Sequence, residues 1–107
     1  MANARRGEVD FTIAGKPVTL CLTLGALAEI EHAFGAADLV ALGERLASGR
    51  LAAKDLIAIL GAAARGGGAA LSDAEVGCGL SASELPRAAA AVAKLFGALF
   101  PESSPNP

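Results

Sequence analysis

The chain has no tryptophan, no tyrosine and four phenylalanines in 107 residues. Its core must therefore come from aliphatic side chains rather than from stacked rings. Two cysteines, Cys21 and Cys78, are present, and their separation matches no metal or redox spacing. Both read as reduced thiols of a cytoplasmic protein. His32 is the lone histidine, too few for a zinc site without neighbouring Cys or His. Positive charge is also scarce: nine Lys and Arg against eleven Asp and Glu leave a net charge of −2. Phosphate neutralisation needs a basic surface, so no nucleic acid is expected as a partner. No apolar run reaches the roughly 18 residues of a spanning helix, so no membrane segment is expected. The opening MANARRGEVD is not followed by the apolar core of a secretory signal.

What is abundant is small and apolar. Hydrophobic residues make up 53% of the chain, many of them alanine. Leucine and alanine without large rings point to closely packed helices. A chain of this length forms one domain and buries roughly 64% of its unfolded surface. The apolar surplus has two readings of equal standing. It either leaves an apolar face for a partner, or reflects alanine filling helix surfaces at little cost.

The apolar rhythm changes once, at Thr23. Before it, Val18, Leu20 and Leu22 alternate with Thr19 and Cys21, the period of a half-buried strand. After it, Leu24, Leu27, Ile30 or Glu31, and Phe34 follow helical spacing. Thr23 stands where a hydroxyl caps a helix, and Gly35 where a helix stops. Upstream, Val9, Phe11 and Ile13 share one strand face. Ala14-Gly15-Lys16-Pro17 reads as the turn between strands over 8–13 and 18–22. The predicted fold class is α+β, mostly α. An N-terminal hairpin is followed by four to five short helices over about 24–34, 38–48, 53–65, 73–78 and 83–100.

Local signals place the later helices. Leu39, Leu42 and Leu46 form the stripe of the second. Leu56, Ile59, Leu60 and Ala63 face inward on the third, but Ala52-Ala53-Lys54 offers no Ser or Thr cap, so its start should fray. Gly66-Gly67-Gly68 reads as a flexible break. Ser72 with Glu75 makes a capping box for the fourth, which Gly77-Cys78-Gly79 should weaken. Ser81 with Glu84 starts the fifth, with Ser83 a competing cap. Leu85, Ala89, Val92, Leu95 or Phe96, and Leu99 are its inward face. Residues 1–6 and 101–107 read as disordered ends of a single domain over 7–100.

No group of residues carries chemistry. His32 has no nucleophile turn to serve. Glu29 and Glu31, two apart on a helix, point to different faces and read as solvated surface. Arg65-Gly66-Gly67-Gly68 lacks the Gly-Lys-Ser/Thr ending of a phosphate loop and follows a helix where such a loop follows a strand. The helices flanking it could mimic a helix-turn-helix, but the second carries Asp73 and Glu75 instead of basic residues. No catalytic residue, cofactor or metal is expected, and the chain reads as no enzyme.

Taken in order, several strings resemble a known family. They are Leu20-Cys21-Leu22-Thr23-Leu24-Gly25-Ala26-Leu27-Ala28-Glu29-Ile30-Glu31 with Phe34-Gly35, then Gly49-Arg50-Leu51 leading to Lys54-Asp55-Leu56-Ile57. Leu60-Gly61 leading to Arg65-Gly66-Gly67, and Leu71-Ser72-Asp73-Ala74-Glu75-Val76, complete the pattern. Over roughly residues 7–100 the chain resembles the tenth gene product of the alphaproteobacterial gene transfer agent cluster. That family is grouped with phage tail assembly chaperones and is also labelled a tail tube protein. The resemblance implies a factor in the bacterial host cytoplasm that binds the tape measure protein and other tail proteins while a prophage-like tail is assembled. A structural place in the tail tube, or a generic small helical adaptor, are the alternatives. The candidate protein-binding surface is an apolar groove on Leu24, Leu27, Leu42 and Leu46, or on the last helix around Leu95 and Leu99. Each of these leucines is a core candidate first. Pairing of the hairpin edge between chains would make the protein a homo-oligomer.

Overall fold

A computed structural model of the chain describes residues 7–35, Glu44 and 52–99. Apart from Glu44, the predicted helix over 38–48 lies outside the described residues, as do the ends over 1–6 and 101–107. The described architecture is α+β and mostly α. Strands β1 (Glu8–Ile13) and β2 (Lys16–Cys21) form an antiparallel hairpin. Helices α1 (Leu24–Phe34), α2 (Ala53–Gly66), α3 (Asp73–Gly79) and α4 (Leu85–Leu99) follow, with a 3-10 turn over Ala82–Glu84 before α4.

The hairpin is tighter than its sequence suggests. Ala14 and Gly15, at φ 55° and 77°, make a two-residue turn whose twist suits the flanking strands. The return strand therefore begins at Lys16, not Val18, and ends before Leu22. Thr12 pairs with Pro17, next to the closing pair Ile13–Lys16. Alternation makes Thr12–Pro17 a non-hydrogen-bonded pair, where the proline's missing N–H would have faced away from β1. Proline thus marks a turn in sequence yet sits inside a strand.

In α1 the caps fall where expected. Thr23 Oγ1 accepts from the Ala26 N–H at 3.0 Å, and Gly35 takes the left-handed stop. The buried arc is Ala26, Leu27 and Ile30, while Leu24 is 86% exposed. At 3.6 residues per turn Leu24 points about 110° away from the middle of that arc.

The centre of the molecule is α2, which packs on α1, β2, α3 and α4. Leu56, Ile59, Leu60 and the run Ala62 to Ala64 are all buried. Its N-cap, Ala52, makes no side-chain cap bond, as its sequence implies, but Asp55 Oδ2 accepts from the Ala52 N–H at 2.9 Å and ties down the helix start. Its end is not the flexible break predicted. A Cβ on Gly66 would overlap the Cys21 carbonyl, and one on Gly67 the Thr19 carbonyl. Only glycine lets the end of α2 lie this close to β2.

The short α3 runs through Gly77 and Cys78 to Gly79 despite them. Its capping box is complete: Ser72 Oγ accepts from the Glu75 N–H at 3.1 Å, and Glu75 Oε1 from the Ser72 N–H at 2.8 Å. In the second box only the glutamate half forms, the Ser81 N–H donating to Glu84 Oε1 at 2.8 Å. The Ser81 hydroxyl instead pairs with that of Ser83. The α-helix accordingly starts at Leu85, two residues later than predicted. Its buried face is Ala88, Ala91, Val92, Leu95 and Phe96, so both Leu95 and Phe96 turn inward. Ala89 is exposed instead, and Leu85 is 51% exposed. Phe11, Ile13 and Leu20 of the hairpin join these residues in one core.

Candidate functional site

Of the two leucine surfaces proposed from sequence, one on Leu24, Leu27, Leu42 and Leu46 and one around Leu95 and Leu99, only part falls on described residues. Leu27 and Leu95 are core, 7% and 1% exposed, and Leu24 projects outward alone. Leu42 and Leu46 lie outside the described residues, and Leu99 is the final residue of α4.

An apolar groove exists elsewhere, across α2, α3 and the start of α4. It holds about 240 Å³ and is lined chiefly by Leu56, Ile57 and Leu60 of α2, Val76 of α3, and Leu80 and Leu85 beyond it. Three local devices shape it. The Ser72–Glu75 box sets where α3 begins. Gly77 brings α3 close to Ile57, since a Cβ there would lie 3.3 Å from Ile57 Cδ1. The Ser81–Glu84 contact turns the chain so that Leu85 overhangs the groove.

Among the described lining residues Glu84 is the one ionisable group. Its carboxyl is held below the ordinary range, first by the Ser81 backbone N–H and then by Arg87, whose Nη2 lies 2.6 Å from Oε2. Arg87 is itself fixed, donating to the Thr12 carbonyl at 3.0 Å and lying 4.2 Å from the centre of the Phe11 ring. The charge at the rim is thus matched within the chain. Among the described lining residues the polar side chains are Ser81 and Glu84, bonded to Ser83 and Arg87, and the rest of the lining buries apolar side chains.

The other candidate groups stay apart. His32 is exposed, and Cys21 and Cys78 are thiols, half-buried and exposed, rather than a disulfide. Among the described residues no three His, Cys, Asp or Glu side chains are grouped to hold a metal. None of their helices is long and apolar enough to cross a membrane. Glu29 is more than solvated surface: it meets Arg65 of α2 at 2.5 Å. Arg65 also donates from Nη1 to the Leu71 carbonyl at 2.8 Å and meets Asp73 at 3.1 Å. Its guanidinium is stabilised further in the charged form, most by the Glu29 hydrogen bond.

Sequence reading missed this groove because its candidate leucines lie on the first two predicted helices or on the last, whereas the groove forms where the third, fourth and fifth converge. Two capping boxes in quick succession were the available signal. They announce a short helix laid across a longer one, and the residues between and after them, Leu80 and Leu85, fall at the crossing.

Residues 6–102 match the family model described as "Phage tail tube protein, GTA-gp10". No curated protein and no solved structure matches the chain.

Proposed function

The chain belongs to the GTA-gp10 phage tail tube family, and from that premise we propose that it is a non-enzymatic tail assembly chaperone. In this reading it acts in a phage-like tail by holding the tape measure protein in the host cytoplasm during assembly. The observation that carries the reading is the α2–α3–α4 groove, whose described lining is mostly apolar. Such a groove suits the apolar side of an amphipathic helix. A tape measure protein, helical and apolar, is a ligand of that kind.

The test is co-expression with the tape measure protein of its tail. The expected result is a soluble complex that co-purifies, and loss of that complex on Leu85→Glu. Leu85 is half exposed, so this substitution should leave the fold intact. An equally insoluble tape measure with nothing co-purified ends the chaperone reading.

The family description itself favours a second reading, a permanent subunit of the tail tube. Mass spectrometry of purified particles separates the two. Recovery in stoichiometric amount supports the tube, and absence supports the chaperone. The strands among the described residues are six residues each, short for a ring built from sheets.

A further inference from the structure

We infer that α3 is a latched wall of the groove, one that opens away from α2, and that Arg65 is the latch. The contrast in burial comes first. The buried set of α3 is Val76 alone, whereas α2 buries eight residues. A helix of seven residues has little stability of its own, and elements with few buried contacts open before the rest.

What holds α3 in place is largely polar. Arg65, in the last turn of α2, grips the entry to α3 through the Leu71 carbonyl and Asp73 while it also holds Glu29 of α1. At the far end the Ala14 N–H of the hairpin turn donates to the Gly79 carbonyl at 3.0 Å. Between these ties the contact with α2 is the Val76 side chain and the close approach of Gly77 to Ile57.

The size of the groove gives the opening a consequence. At about 240 Å³ it admits one or two side chains. A docked helix presents anchors over two turns or more. Moving α3 aside removes the wall made by Val76 and Gly77. Leu56 and Leu60, now 5% and 1% exposed, then become part of a longer apolar face. This use of the opening rests on the chaperone reading; the opening itself does not.

The experiment is native-state hydrogen exchange, read by NMR on the full chain without any partner. The amides of residues 76–79 are expected to exchange faster than those in the middle of α2, and selectively faster as salt screens the Arg65 pairs. Asp73→Asn should speed α3 exchange about three- to fivefold, the effect of one exposed ion pair, and leave α2 unchanged. Arg65→Met should act more strongly; if it unfolds the chain, two milder variants carry the test. One is Asp73→Asn. The other is Gly61→Ala, where the added Cβ falls on Asp73 Oδ1 and pushes the carboxylate off Arg65. Because alanine favours the helix that carries it, Gly61→Ala should speed exchange in α3 without speeding it in α2. Exchange of α3 in step with α2 in the unmodified protein overturns the proposal. So does α3 exchange that neither variant moves, or that moves equally with α2.

Discussion

Helices α2 and α3 lie against each other, and each contains two glycines. In α2 they sit at contacts. Gly61 lies under Asp73, and Gly66, with Gly67 just beyond, lies on the backbone of β2. In α3 a Cβ at Gly79 would lie 2.8 Å from Ile13 Cγ2, whereas one at Gly77 would meet only the flexible end of Ile57. Close approach thus accounts for both glycines of α2 and for Gly79, and Gly77 is the looser position. What separates the two helices is burial. A helix surrounded by α1, β2, α3 and α4 tolerates glycine because tertiary contacts, more than propensity, hold it. A helix anchored by Val76 and two polar ties has no such reserve.

The largest test of this contrast compares core truncations. Leu60→Ala should cost about 2–5 kcal/mol by chemical denaturation. Val76→Ala removes less apolar volume and should cost about 2 kcal/mol, at ~0.8 kcal/mol per methylene plus a small cavity. Equal costs would make α3 as integral to the fold as α2.

Glycine substitutions come next. Gly67→Ala forces a Cβ into the Thr19 carbonyl and should destabilise by about 1–3 kcal/mol. Gly77→Ala meets only Ile57 Cδ1, which borders the groove and can turn aside, so it should be neutral or stabilise by up to about 0.5 kcal/mol. A thermal melt of each variant reads the difference in sign.

The caps sharpen the comparison further. Thr23→Ala removes the bond to the Ala26 N–H and should cost about 1 kcal/mol of global stability. Ser72→Ala breaks an equivalent bond, but in α3. Its effect should appear as faster exchange of α3 amides with a smaller change in the global midpoint, since α3 opens before the whole chain unfolds.

The smallest expected effect is a dependence on pH at the rim of the groove. The folded Glu84 carboxyl is lowered by Ser81 and Arg87. Its contribution is therefore fully present above the ordinary carboxylate range and is lost as pH falls through the lowered folded value. Carboxyl chemical shifts followed on acidification should show Glu84 titrating below the ordinary glutamate range. A Glu84 midpoint at or above that range would remove it as a fixed partner of Arg87.

Much of the fold was legible because its signals are local. β1 and α1 run where alternation, Thr23 and Gly35 put them, and α3 starts at its capping box. Errors cluster where a local signal was answered by something distant. Pro17 looked like a turn residue because register is invisible until the strands pair. Gly66-Gly67-Gly68 looked flexible because the β2 carbonyls that fill the space beside it come from far earlier in the chain. At the start of α2, Asp55 reaches back to the Ala52 N–H from inside the helix, a tie the search for a Ser or Thr cap overlooked. The candidate site was less legible still. Leu24, Leu27 and Leu95 were chosen by helical spacing, which cannot separate a core stripe from a groove. Ile57, Leu80 and Leu85 form the groove only because three elements converge.

By itself the sequence determined the type and order of the described elements and several of their ends. It also carried the ordered strings that mark the family. These depend on residues within a turn or two of each other, where spacing alone satisfies a hydrogen bond or fails to. Tertiary structure alone decided which apolar residues are inside, why the glycines after α2 are needed, and that Arg65 joins α1, α2 and α3. Each of those outcomes depends on which surfaces meet across the fold. Burial energy and steric overlap exist only once they do.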